Sequence, residues 1–302
     1  MSVFLVVGGD GLIGSALVTT LQSAGAAVLA TSRRSTQPAG TISFDLASEP
    51  QSLCGDVRVR RAAEAGSLVT LVTAGVTGIK ECQENPQRSY LVNVANTISL
   101  IQGLLTLGSS VVFISSSAVF SGERPKPTET SRTDPTTAYG RQKAEAEKGL
   151  AALADARSGP RSVSTVRITK VVSPKIPLIE DWLQFLQSGR TIEPFRNRMF
   201  SPVSLRHAVR SLVAVGRARE TGIFHVTGND DLTYYDFAIM LAESLGAPRL
   251  LVRPVDAPLA GGLAQKYSAL ASTDASARLG LRTQGPQSVI EDLLSGNSIA
   301  LG

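Results

Sequence analysis

The stretch VFLVVGGDGLIGSALVTTLQS, Val3 to Ser23, decides the fold. Its first five residues are all apolar, which suits a strand covered on both faces of a parallel sheet. Gly8, Gly11 and Gly14 follow at three-residue intervals, and the residues after them carry helical spacing. A strand that must turn sharply, admit a pyrophosphate to its backbone and pack closely on the next helix needs residues without Cβ at these places. The helix start adds free N–H groups and the positive end of its dipole. In this strand–turn–helix setting the glycines read as a dinucleotide cradle; the alternative is a tight turn that binds nothing. No Lys-Ser/Thr pair follows, so a P-loop is excluded.

Outward from this unit, the alternation continues. AAVLATS, SLVTLVTAG, SSVVFISSS and VSTVRITKVV read as strands, separated by helical patterns such as YLVNVANTISLIQGLLTLG. Strands alternating with helices predict an α/β fold, a Rossmann doubly wound parallel sheet. After Ser173 the rhythm breaks at SPKIP, which predicts a Rossmann domain over residues 1–173 and a smaller mixed substrate-binding domain over 174–302. GIFHVTG, near 222–228, reads as a strand returning to the first sheet, and LIEDWLQFLQSG and LTYYDFAIMLAESLG read as helices.

The end of the second strand chooses between cofactors. An NAD site usually places a carboxylate there to hold the ribose 2′-hydroxyl. Here Ser32, Arg33 and Arg34 stand instead, and an arginine fork can grip the 2′-phosphate of NADP. The alternative is a solvated arginine pair. NADP(H) is therefore the expected cofactor, with NAD(H) the second choice.

Tyr139 and Lys143, in YGRQK, are four residues apart and so share one face of a helix. Upstream, VVFISSSAVFSG ends a strand in three serines, where a parallel sheet presents its active-site edge. Tyrosine, lysine and serine together can protonate a carbonyl, the ammonium favouring the phenolate and lowering the tyrosine pKa. A surface tyrosine beside a solvated lysine is the alternative.

Together GGDGLIG, FISSSAVF and YGRQK resemble the extended short-chain dehydrogenase/reductase superfamily, and the resemblance spans nearly the whole chain. FSPVSLRHAVRSLV, TGIFHVTGNDDLTYYDFAIMLAESLG and STDASARLGL resemble most its dTDP-4-dehydrorhamnose reductase-like branch, within the wider epimerase family. The resemblance implies that Tyr139 donates the proton, that Lys143 binds the nicotinamide ribose and tunes the tyrosine, and that Ser116 is the catalytic hydroxyl, with Ser117 as the fallback. It places Gly8, Gly11, Leu12, Ile13 and Gly14 at the pyrophosphate, Asp45 and Leu46 of FDL at the adenine, and Ala74 and Gly75 along the cofactor. VNVANTISLIQ, around Asn93, resembles the family's central helix, and PTETSRTDPTTAYGRQKAEAE the approach to the catalytic helix. Arg196, Arg198 and Arg253 are candidates for the diphosphate of a nucleotide-sugar substrate. The chain departs from the family in RITKVVSP, where Lys170 stands at the usual asparagine, in VSLRH for the usual Val-x-Asp, and in the Gly after Ala74.

Composition bounds the remaining classes. With 302 residues, 43% hydrophobic and 18% charged, the chain has the make-up of a soluble enzyme. Its apolar runs fall short of the roughly 20 residues a membrane span needs. No basic n-region precedes the first strand, and two cysteines make no disulfide framework, so the expectation is a cytoplasmic protein. The net charge of +5 is scattered, and without a basic helix or aromatic-basic alternation no nucleic-acid partner is expected. His207 and His225 with distant Cys54 and Cys82 have no zinc spacing, His225 and Trp182 read as packing residues, and no Gly-x-Ser-x-Gly elbow is present. The reading that follows is an NADP(H)-dependent reductase of a nucleotide-linked keto-sugar, with a homodimer as a further expectation. Its alternatives are a nucleotide-sugar epimerase holding NAD and a non-catalytic nucleotide-sensing or regulatory protein on the same fold.

Overall fold

The computed structural model describes residues 2–34, 40–155, 162–258, 266–296 and 299–300. Along the chain run β1 (Val3–Val7), α1 (Leu12–Ser23), β2 (Ala27–Ser32), β3 (Ile42–Ser43), α2 (Ser52–Gly55), α3 (Val57–Glu64), β4 (Leu68–Val72), α4 (Ile79–Glu84) and α5 (Pro86–Tyr90). A π-helical turn, Leu91–Asn96, leads into α6 (Thr97–Thr106), β5 (Ser110–Ser116), a 3₁₀ turn at Ser117–Val119 and α7 (Ala138–Asp155). Next come β6 (Val163–Ile168), β7 (Lys170–Val172), α8 (Pro177–Gln187), β8 (Met199–Phe200), β9 (Pro202–Ser204) and α9 (Leu205–Ala218). The chain continues through β10 (Gly222–Val226), β11 (Leu232–Thr233), α10 (Tyr234–Ser244), α11 (Thr273–Leu279) and α12 (Pro286–Leu294).

Seven strands form one sheet in the order β10-β6-β5-β4-β1-β2-β3, and every pair is parallel. The continuous apolar runs are explained by burial on both faces: β4 and β6 are buried at every residue. Alternate residues of β1 serve opposite layers, as the two-residue period requires. Leu5 and Val7 pack with Val59 of α3, Leu100 and Leu104 of α6 and Leu150 of α7. Phe4 and Val6 pack with Leu17 and Leu21 of α1 and Val209 and Leu212 of α9. The strand order reverses at β1, so the crevice outside the carboxyl ends of β1 and β4 is where such a sheet takes a ligand.

VSTVRITKVV is two strands rather than one. β6 stays in the large sheet, whereas β7 pairs in parallel with β9. The break is at Thr169, whose N–H bonds the carbonyl of Val226 on β10 before the chain leaves the sheet. Beyond residue 173, α8, α10 and α12 enclose a separate apolar cluster built on Trp182, Phe200, Phe237 and Ile290. Tyr234 stacks on Phe200 at 4.2 Å between ring centroids. A capping box between Thr233 and Asp236 fixes the start of α10. The same part of the chain returns α9 and β10 to the large sheet. Among the described residues no helix is long and apolar enough to cross a membrane.

Candidate active site

The glycine loop is held from both sides. The N–H of Gly8 donates to Thr31 Oγ1 on β2 at 3.0 Å, and Thr73 Oγ1, just past β4, donates to the carbonyls of Val7 and Gly8. Gly8 has φ +89°, and a Cβ on Gly14 would stand 2.0 Å from the Gly8 carbonyl oxygen, so helix and turn touch backbone to backbone. Leu12 and Ile13 open α1, whose N-terminus has no side-chain cap, leaving its first N–H groups and dipole directed outward. An uncapped helix start behind a turn that a side chain would fill fits the diphosphate of a dinucleotide.

A groove runs from this turn past Ser32, Arg33 and Arg34 to Phe44–Ala47, and along Ala74–Val76. Arg34 pairs with Asp10 of the glycine loop at 3.1 Å, and Arg33 is exposed beside it. Asp45 accepts a hydrogen bond from the N–H of Ala47 at 2.9 Å, an Asx turn that shapes the loop. Leu46 is buried next to it, its carbonyl accepting from Asn96 Nδ2 at 2.7 Å. The groove thus brings together the residues expected at the pyrophosphate, the ribose phosphate and the adenine.

Sequence reasoning missed what holds the other wall. Asn93 lies in the π-helical turn, a feature frequent at functional sites. Its Oδ1 accepts from the N–H of Val76 at 2.8 Å, and its Nδ2 donates to the Val76 carbonyl and to Gln142 Oε1. Asn93 thereby ties the loop after β4 to α7. The apolar spacing of the central helix gives no hint of this π turn.

Ser116 ends β5, Tyr139 and Lys143 lie one turn apart on α7, and all three meet at the carboxyl edge of the sheet. A Cβ on Gly140 would stand 2.1 Å from the Ala118 carbonyl, so α7 presses directly on the 3₁₀ turn that begins at Ser117. Ser116 Oγ accepts from the N–H of Ala118 at 3.1 Å, and its hydroxyl favours the Tyr139 phenolate. Ser116, rather than Ser117, is therefore the serine at the tyrosine. Lys143 is buried, donates to the Ile114 carbonyl at 2.8 Å and stands 4.5 Å from the centroid of the Phe113 ring and 5.9 Å from that of Tyr139.

The expected lowering of the tyrosine pKa is corrected by the structure. Burial pushes Tyr139 up to about 12, and the neighbouring Ser116 only partly opposes it. Burial likewise pulls Lys143 down to about 8, with Glu147 working the other way. A lysine turned toward a backbone carbonyl does not outweigh the loss of solvent around the phenol. Tyr139 is thus a protonated acid at neutral pH.

The three arginines have partners of their own in the second part of the chain. Arg196 is exposed and bound through two hydrogen bonds to Asp256, at 3.0 and 2.9 Å. Arg198 lies 5.7 Å from the Phe195 ring, and Arg253 is exposed, its backbone N–H donating to Ile192. Segments 192–196 and 252–256 run side by side through bridges at Ile192–Val252 and Phe195–Val255, which sets Arg196 and Arg253 on neighbouring strands of chain. His225 is a buried strand residue and Trp182 a core residue of the second cluster.

A Rossmann sheet carrying a glycine cradle and a Ser-Tyr-Lys cluster on one edge has the layout of the extended short-chain dehydrogenase/reductase superfamily. Within it, the chain belongs to the RmlD substrate binding domain family, whose sequence model matches residues 1–297. The chain is 26% identical over 272 residues to a dTDP-4-keto-6-deoxy-D-glucose reductase of Streptomyces niveus, covering 88% of each protein. It is 25% identical over 193 residues to methionine adenosyltransferase 2 subunit beta of Rattus norvegicus, covering 62% of this chain but only 58% of that subunit. The dTDP-4-dehydrorhamnose reductase of Bacillus anthracis, solved in complex with NADP, shares the fold with a TM-score of 0.81 over 98% of both chains at 16% identity.

Proposed function

We propose that this chain is an NADP(H)-dependent reductase of a nucleotide-linked keto-sugar, with Tyr139 as the proton donor. The observation that carries the proposal is the meeting of Ser116, a protonated Tyr139 and buried Lys143 on the same sheet edge as the glycine cradle. The residues around the glycine turn fit a dinucleotide, and Arg33 and Arg34 offer cations for a 2′-phosphate. When bound, the reduced nicotinamide supplies the hydride that adds to the carbonyl carbon. Tyr139 delivers its proton to the carbonyl oxygen, completing the alcohol, while the Ser116 hydroxyl orients the acid. The Lys143 ammonium stabilises the negative charge that passes through the tyrosine. The Streptomyces relative, matched along 88% of its length, supports a deoxysugar ketone on a nucleoside diphosphate as the substrate class.

A second reading, a nucleotide-binding regulatory protein, draws on the similarity to methionine adenosyltransferase 2 subunit beta. The intact Ser116–Tyr139–Lys143 arrangement favours the reductase. The test is oxidation of NADPH and NADH in the presence of nucleotide-linked 4-keto-6-deoxysugars. Turnover that needs added NADPH supports the reductase over an epimerase that retains its NAD; binding of NADPH with no reduction of any such ketone supports the regulatory reading.

A further inference from the structure

Behind the Ser-Tyr-Lys cluster lies a buried ionic network. Glu147 and Arg167 are both nearly inaccessible, and the Arg167 guanidinium meets the carboxylate through two nitrogens, at 3.1 Å from Nε to Oε1 and 2.7 Å from Nη2 to Oε2. Ser115, next to Ser116 on β5, donates to Glu147 Oε1. The remaining Arg167 nitrogen, Nη1, donates to the carbonyl of Glu129 and to His225 Nε2, each at 3.3 Å. His225 Nδ1 donates to the Ala271 carbonyl at 2.6 Å, and burial pulls its pKa down to about 4, so the ring is neutral and Nε2 is free to accept. Glu147 thus joins α7 to β5 and β6, and Arg167 extends the network to β10.

A buried ion pair is weak support for stability, because desolvating both charges offsets most of their attraction. Its position argues for another task. Tyr139, Lys143 and Glu147 follow at four-residue intervals on α7 and share one face. We propose that Glu147, clamped by Arg167 and Ser115, is a positioning residue that holds α7 against the Ser116 end of β5 and supplies the buried negative charge facing the Lys143 ammonium. This role deepens the reductase reading and rests on it, since Glu147 acts through Lys143. The other groups around Lys143 cannot take over this task. On β5 they are the Ile114 carbonyl and the Phe113 ring, on α4 the Cys82 thiol, whose pKa burial raises, and on α7 the protonated Tyr139.

The test reads Lys143 itself. The side-chain Cε resonances of the seven lysines are followed by NMR against pH in the full chain, with Lys143→Met assigning the signal. In Glu147→Gln the Lys143 midpoint falls by about 1 pH unit or more, and Glu147→Asp recovers part of the fall. Because Glu147→Gln leaves Arg167 without its counter-ion, Glu147→Gln/Arg167→Met is made in parallel, removing both charges so that folding is spared. The midpoint falls there too. An unchanged Lys143 midpoint in a folded variant overturns the inference. Parallel assays of keto-sugar reduction separate the two readings: absence of turnover in the unmodified protein sinks the reductase, whereas the Lys143 titration decides the role of Glu147 without substrate.

Discussion

Tyr139 keeps its proton because partial burial leaves its phenolate poorly solvated. With the pKa near 12, the acid form needed for carbonyl reduction is fully populated across the neutral range. Lys143, near 8, is the group that titrates. It is charged below that pH and neutral above it, so reduction is predicted to hold level from about pH 6 to 7.5 and to slow as pH rises through 8. A profile of kcat/KM against pH checks this, and a limb confined to the acid side contradicts it. Replacing Tyr139 by Phe removes the proposed proton donor but little volume, so turnover is predicted to fall roughly 10²–10⁴-fold with NADPH affinity nearly unchanged. At this scale the sequence was informative about pairs on one helix and silent about environment. The four-residue spacing of Tyr139 and Lys143 marks them, but the direction of the tyrosine shift depends on burial by β5 and the 3₁₀ turn, which no local pattern encodes. Asn93 and Thr73 were missed for the same reason, as their roles exist only once β1, β4 and the π turn are brought together.

Two elements carry the site: α1, which presents the cradle, and α7, which presents Tyr139 and Lys143. Both are positioned by a glycine in direct contact with a carbonyl. On α7 that glycine is Gly140, beside Tyr139, and its missing Cβ is what lets the helix rest on Ala118. Gly140→Ala forces helix and turn apart, moving Tyr139 from Ser116. Since a displacement of about 1 Å can cost 10²-fold in rate, the variant is predicted to lose on the order of 10²-fold in kcat. The accompanying loss of stability is predicted at about 1–3 kcal/mol, measured by denaturant unfolding. Full activity in Gly140→Ala would show that the contact does not set the geometry. The parallel strands were legible because burial on both faces leaves runs without alternation, as in β4. The division of VSTVRITKVV was not, since β6 and β7 share the same apolar character and differ only in partners contributed by β10 and β9.

For the molecule as a whole, the sheet edge joins a cofactor groove to a second cluster of helices, and the binding of the dinucleotide should be felt in global stability. A ligand at a hundred times its Kd adds about 2.7 kcal/mol, a rise in Tm of roughly 4 °C for a chain of this size. NADPH is predicted to give a larger rise than NADH, and the difference is predicted to shrink when Arg33 and Arg34 are both replaced by Ala; equal rises in the unmodified protein would contradict a 2′-phosphate grip. The overall architecture could be read from the order of strands and helices, including the return of β10, because the main strands and helices of the sheet carry their own local patterns. The substrate side could not. Arg196 is tied to Asp256, and its sequence neighbourhood does not reveal that partner. The most direct measurement is NADPH-dependent reduction of a nucleotide-linked 4-keto-6-deoxysugar by the unmodified protein and by Tyr139→Phe, side by side. Turnover in the first that collapses in the second is the predicted result. Reduction that survives unchanged in Tyr139→Phe, or NADPH binding without reduction of any such ketone, would contradict the account.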